Sequence, residues 1–255
     1  MHNKIEFLGT GTSQGVPMIG CNCEVCRSAD PKDHRLRTSA YVEYEGLKLV
    51  VDAGPDFRQQ ILRSGITYLD AVILTHMHKD HTGGLDDVRA FNYFQKRGFP
   101  IYAEDIVIKS LKREYAYAFD EHKYPGAPEF IIHQIDERPF KINGIEIIPV
   151  RAMHYKLPIL GYRFGKLGYL TDANYLSEES IEKFRGVDIF VINTVRREKH
   201  ISHFSLSEAI DVCRKVGAKQ SYLTHMSHKF GRYREFEPSL PEGIHAAYDG
   251  LTLEF

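Results

Sequence analysis

Short apolar runs separated by turn formers dominate the first part of the chain. Ile5–Leu8 reads as a strand that runs into the glycine-rich Gly9-Thr-Gly-Thr-Ser-Gln-Gly15. Ser39–Tyr44 and Leu47–Val51 flank Glu45-Gly46 and predict a hairpin whose second strand delivers Asp52. Phe57–Ser64 has the period of an amphipathic helix and stops at Gly65, and the apolar Asp70–Leu74 then reads as a buried strand. Asp86–Arg97 and Ile106–Tyr117 predict helices on either side of a short strand at Pro100–Ala103. Ile131–Ile135 and Ile142–Pro149 are strand-like, and a further strand ends at Pro149–Ala152, just before His154.

The pattern then repeats. Gly161–Phe164 and Gly168–Thr171 predict a second hairpin, with Asp172 at its end. Gly46–Asp52 and Gly165–Asp172 are both glycine-started strands that finish in Asp. Each is followed by a helical stretch and an apolar strand, Asp70–Leu74 in one half and Val187–Asn193 in the other. Two such halves imply two sheets packed face to face, helices outside, and a site at one shared edge. Ser205 with Glu208 three residues on predicts a capping box that starts a helix. Gln220–Leu223 reads as the last core strand, and Ile244–Phe255 as a terminal hairpin or strand pair around Asp249-Gly250.

Candidate chemistry gathers where these strands stop. After Val72-Ile-Leu74 come His76, His78, Asp80 and His81, four metal-competent side chains within six residues, and then Gly83-Gly84. Imidazole nitrogen and carboxylate oxygen are the usual ligands of zinc and its neighbours, and a loop can aim alternate side chains at two ions. Cys21-x-Cys23-x-x-Cys26 lies in a segment without periodicity. Three thiols so close cannot all pair as disulfides; with one nitrogen ligand from elsewhere they make a closed tetrahedral zinc site. Cys213 stands in a helical pattern and reads as core filling. The glycine-rich loop lacks the Lys-Ser/Thr ending of a phosphate-binding loop and reads as a tight turn near the site. His122 and His133 lack ligand neighbours and read as surface residues, and His200 as structural or exposed.

The chain has 255 residues, 43% of them hydrophobic, enough for a sizeable core. Its 33 basic and 34 acidic residues are well mixed, so no basic stripe argues for nucleic acid. No apolar run approaches the roughly 18 residues of a membrane helix. Met1–Leu8 lacks the apolar core of an export signal; together with the cysteine usage this predicts a cytoplasmic protein.

His76-x-His78-x-Asp80-His81 resembles the signature of the metallo-β-lactamase-fold hydrolases, and the three-cysteine pattern resembles that of their PhnP-type phosphodiesterase branch. The resemblance covers nearly the whole chain. It implies an α/β protein, a four-layer αββα sandwich of two mixed β-sheets, which agrees with the internal repeat. Chain length predicts a single domain over 1–255, and the turn-rich end of the segment around 104–130 reads as a wall or lid over the site; the resemblance implies a zinc-knot insertion around 20–35. It places His76, His78 and His154 on one divalent ion and Asp80, His81 and His225 on a second, zinc or manganese, with Asp172 bridging. Cys21, Cys23, Cys26 and His228 match a structural zinc site, and Asp52 the aspartate that orients the His loop. The implied reaction is hydrolysis of a small or cyclic phosphodiester by a hydroxide held between the ions, with Asp80 and His203 in catalysis. Two readings compete: an RNA 3′-processing nuclease, weakened by the near-neutral charge, and a non-catalytic metal-binding accessory protein of cofactor biosynthesis, weakened by the complete ligand set. A homodimer stays open.

Overall fold

The computed structural model describes residues 2–255; Met1, the first residue of the segment read for an export signal, lies outside them. Strands β1 (Lys4–Gly9), β2 (Ser39–Tyr44), β3 (Leu47–Val51), β4 (Ala71–Ile73), β5 (Phe99–Ala103) and β6 (Phe130–Gln134) form one sheet in that order. Strands β7 (Phe140–Ile142), β8 (Ile145–His154), β9 (Leu157–Phe164), β10 (Leu167–Tyr169), β11 (Ile189–Asn193), β12 (Gln220–Thr224) and β13 (Ile244–Ala246) form the other. The last strand, β14 (Thr252–Glu254), returns to the first sheet and pairs antiparallel with β1.

Both sheets are mixed: hairpins lie on one side, and parallel strands on the other. Alternation sets the layers, because side chains of period 2 face opposite sides of a sheet. Ile5, Val42 and Leu49 of the first sheet meet Tyr162, Tyr169 and Val191 of the second in one buried interior. The opposite face of the first sheet packs on helices α1 (Phe57–Ser64), α3 (Arg89–Gln95) and α4 (Asp105–Glu114). That of the second packs on α6 (Glu178–Phe184) and α7 (Leu206–Val216). The four-layer αββα sandwich expected from the sequence is thus the observed architecture. No helix among the described residues is long and apolar enough to cross a membrane.

Several predicted elements are redrawn. The helix expected over 86–97 starts as a 3-10 turn at Leu85–Val88 before α3, which ends at Lys96 in the left-handed region. The strand expected over 142–149 is broken by the Asn143-Gly144 turn, and β8 continues through His154, which therefore ends a strand rather than following one. The expected terminal hairpin is absent: β13 extends the second sheet and β14 the first. Between them, the Asp249 carboxylate accepts hydrogen bonds from Thr10, just past β1, and from the Leu36 N–H, and so ties the connection to the first sheet.

Candidate metal centre

Strand ends at one edge of the sandwich deliver the polar residues. The chain leaves β4 at Leu74, and His76, His78, Asp80 and His81 follow, the last two within the short helix α2 (Lys79–Thr82). This loop lies on bare backbone. A Cβ on Gly54 would stand 2.0 Å from the Asp80 carbonyl oxygen, and one on Gly84 2.0 Å from the Gly54 oxygen. His154 arrives from β8, Asp172 from just beyond β10, and His225 directly after β12.

Two groups result. His76, His78, His154 and Asp172 each place a ligand-competent atom within 4.8 Å of the others, and so do Asp80, His81, Asp172 and His225. Asp172 belongs to both. The side nitrogens are fixed by hydrogen bonds, as ligating imidazoles require. His76 Nδ1 donates to Thr75 Oγ1 at 2.9 Å, His81 Nδ1 to Asp52 at 2.7 Å, and His154 Nδ1 to the Ser202 carbonyl at 2.7 Å. His225 Nδ1 lies 2.9 Å from Asp172 and 3.1 Å from Thr38 Oγ1.

The opposite nitrogens test whether cations fit. His81 Nε2 and His225 Nε2 are buried without a hydrogen-bond partner. His76 Nε2 and His78 Nδ1 face each other at 3.0 Å, a separation at which two lone pairs need a proton or a cation between them. Burial alone would push His81 down, but Asp172, Asp80 and Asp52 around it outweigh that and hold it well above its ordinary value. Burial likewise opposes ionisation of Asp80 and Asp172, yet the neighbouring imidazoles keep both below the usual carboxylate range. Two carboxylates that stay ionised while buried, facing unpartnered nitrogens, make a site that favours positive charge.

Beside the two groups sits His203. Its ring is 4.7 Å from that of His154 and 4.9 Å from that of His225, and its Nδ1 is buried without a partner. Burial first, then His225 and His154 against the pull of Asp172, brings it down to about 3. The helix behind it begins as predicted, with the Ser205–Glu208 capping box.

Cys21, Cys23, Cys26 and His228 form a third group. The three sulfurs lie 3.2, 3.3 and 3.5 Å from His228 Nδ1, and all three thiols are free. Burial pushes Cys23 up, but hydrogen bonds from the Cys26 N–H, His228 and the other two thiols outweigh it and lower Cys23 to about 6. Burial raises Cys26 to about 11. Cys213, on α7, is buried in the core. His122 and His133 are exposed, the latter stacked on Tyr102 at 4.5 Å.

Every ligand position expected from the sequence therefore converges in one of the three groups. The supporting partners Thr38, Thr75 and the Ser202 carbonyl were not anticipated. Thr38 and Ser202 carry no local signal, since they reach their histidines across long stretches of chain. The segment 104–130 abuts the His loop: the Tyr115 hydroxyl donates to the Thr82 carbonyl at 2.7 Å, Tyr117 bonds Asp86, and Lys79 pairs with Glu114 at 2.7 Å.

Residues 48–226 match the model of the beta-lactamase superfamily domain. A crystal structure of a diphosphatase from the PhnP family superposes over 100% of this chain and 98% of that one, with a TM-score of 0.93 and 40% identity. A Porphyromonas gingivalis protein named octanoyltransferase is 42% identical over 248 residues, 96% of this chain and 50% of that protein. Ribonuclease Z of Methanococcus maripaludis is 26% identical over 165 residues, 63% of this chain and 48% of that protein. The chain thus spans about half the length of these two curated relatives.

Proposed function

The chain belongs to the metallo-β-lactamase superfamily and to its PhnP-type branch, and from that premise we propose that it is a two-metal hydrolase of small phosphodiesters. The observation that carries this reading is Asp172, shared between a group in which His81 Nε2 and His225 Nε2 are unpartnered and one in which His76 Nε2 and His78 Nδ1 face each other at 3.0 Å. His76, His78 and His154 would hold one divalent ion and Asp80, His81 and His225 the other, zinc or manganese. Three protein ligands and a shared carboxylate on each ion leave room for substrate. Such a pair of ions supplies Lewis acidity at the phosphoryl oxygens and lowers the pKa of a water towards ~7.

The chain's own groups do the rest. Asp52 holds the His81 ring through Nδ1, and Thr75 holds that of His76, so the inward nitrogens stay aimed at the centre. Asp80, held below the usual carboxylate range by the neighbouring imidazoles, supplies negative charge to the centre. His203 is neutral in the free protein, and an anionic phosphodiester beside it supplies the counter-charge that protonation requires. It then gives its proton to the departing oxygen as the P–O bond breaks, while the water oxygen bonds to phosphorus. The Cys21, Cys23, Cys26 and His228 set reads as a structural zinc knot, and the segment 104–130 as a wall or lid over the cleft. The name octanoyltransferase belongs to a protein about twice as long, half of which this chain matches.

The metal-loaded protein should hydrolyse bis(p-nitrophenyl) phosphate, and His203→Ala should keep its metal by elemental analysis while losing roughly 10²–10⁴-fold in turnover. Turnover confined to thioesters or lactams would defeat the proposal. A ribonuclease reading draws on the relative from M. maripaludis, but the net charge of −1 offers no footprint for a long RNA. Affinity for tRNA at moderate salt separates the two.

A further inference from the structure

Three large side chains stand exposed at the rim of the centre, each close in sequence to one of its residues. Tyr155 follows His154, Tyr175 lies three residues past Asp172, and Ile201 two before His203. They are 52%, 59% and 69% exposed. Hydrogen bonds knit their segments into one surface. The Met153 N–H donates to the Tyr175 carbonyl at 3.0 Å, and the Asn174 N–H to the Met153 carbonyl at 2.8 Å. The Asn174 side chain accepts from the Tyr155 N–H at 2.7 Å and donates to the Ile201 carbonyl at 3.1 Å. His154 Nδ1, 2.7 Å from the Ser202 carbonyl, joins that surface to the ligand set. Single exposed apolar residues are ordinary on a protein; three on one hydrogen-bonded surface beside a site are not.

Tyr155 is also an odd choice for its backbone. With Lys156 it forms the two-residue loop between β8 and β9, closed by the pairing of His154 with Leu157. Its φ is 56°, in the left-handed region that such loops usually fill with glycine, asparagine or aspartate. A large side chain there is strained, and one more than half exposed gains little packing to offset the cost. Lys156 Nζ lies 5.4 Å from the ring centroid. An aromatic ring with a cation beside it suits a flat group carried by an anion.

We propose that Tyr155, with Tyr175 and Ile201 beside it, sets the specificity of the centre by receiving an aromatic ring, aryl or heteroaryl, borne by the phosphoryl group of the substrate. Consecutive residues stand about 3.8 Å apart at Cα, so a molecule held at His154 is within reach of Tyr155. Three side chains offer far less than the roughly 800 Å² per partner of a stable protein interface, which makes the occupant a small molecule. Strain of this kind persists where the site uses the side chain that causes it. That the ring belongs to a substrate rests on the hydrolase reading; recognition of the ring does not.

Phenylphosphonate and methylphosphonate share their anion and differ in the ring, so the ratio of their affinities for the metal-loaded protein, by calorimetry, isolates the rim. The wild-type protein should prefer phenylphosphonate. Tyr155→Ala should cut that preference about tenfold, the order of one ring-on-ring contact, and Tyr155→Phe should keep it. Tyr155→Gly should cut it equally while leaving Tm unchanged or higher, because glycine relieves the left-handed backbone. A merely structural tyrosine would do the reverse, lowering Tm and keeping the preference. With bis(p-nitrophenyl) phosphate, Tyr155→Ala should raise KM and leave kcat nearly unchanged, as loss of uniform binding does. No preference in the wild-type protein, or an undiminished one in Tyr155→Ala and Tyr155→Gly, overturns the proposal. If the preference behaves as expected but no phosphodiester is turned over, the hydrolase reading fails alone and the aromatic subsite stands.

Discussion

Asp52 follows β3 in one half of the molecule and Asp172 follows β10 in the other; both adopt left-handed backbone angles, φ 63° and 60°, and both precede a buried alanine. A non-glycine residue held there costs of order 1–3 kcal/mol and persists only where its surroundings over-determine it. The surroundings differ. The Asp52 carboxylate accepts from the Thr75 N–H, the Thr75 hydroxyl and His81 Nδ1, all within 2.8 Å, so its hydrogen-bonding capacity is largely committed. Asp172 receives Thr171 at 2.8 Å and His225 at 2.9 Å but keeps His81 and His76 at 3.3 and 3.8 Å, too far for good hydrogen bonds. One duplicated backbone device thus holds an orienting carboxylate in the first half and, in our reading, a shared ligand in the second. The loops after the next strands diverge in the same sense: β4 leads into His76–His81, β11 into Arg196–His203.

Substitutions that remove charge but keep shape test this division of labour. Asp172→Asn should lower kcat/KM by about 10³-fold or more, at least the loss that follows removal of one electrostatic stabiliser, and elemental analysis should find fewer than two ions at the centre. Full metal content with full activity would dissolve the contrast. Asp52→Asn should cost about 10–100-fold in metal affinity or turnover, the range for a partner that only orients a ligand, and excess metal should restore part of it.

The cysteine set, which belongs to neither repeat, responds to pH. In metal-stripped protein Cys23 should alkylate with a midpoint near pH 6 and Cys26 only near 11, read by mass spectrometry. The sign follows from linkage: a thiol lowered from 9.0 to about 6 favours the folded state fully above pH 9 and ceases to do so as pH falls through 6. Knot zinc should therefore be released on acidification below that point. The smallest effect concerns the seam between the halves, where the Tyr162 hydroxyl donates to the Leu74 carbonyl at 2.6 Å. Tyr162→Phe should lower unfolding free energy in denaturant by about 1–3 kcal/mol, the cost of an orphaned buried carbonyl.

What could be read from the sequence was local or repeated. His76–His81 and Cys21–Cys26 announce themselves by spacing, the Ser205–Glu208 box by two side chains three apart, and the Asp52/Asp172 correspondence by comparing one half with the other. His154 and His225 have no such signature as ligands and, like the bridging role of Asp172, rest on family resemblance. Contacts that close over long separations left no trace: Thr38 to His225 spans 187 residues, and Thr10 to Asp249 spans 239. That second contact holds the connection between β13 and β14 against the first sheet, and nothing near Asp249 in sequence signals it. Irregular backbone was also hidden, because the 3-10 start of α3 and the break at Asn143 preserve the apolar period on either side.

Gly54 and Gly84 touch the backbone of their neighbours where any side chain would collide. Nothing compressible separates the turn after β3 from the peptide group of Asp80, so a displacement on one side must be passed on undamped. Variation at the outer rim can retune what the cleft accepts, while the ledge beneath it has no slack to drift.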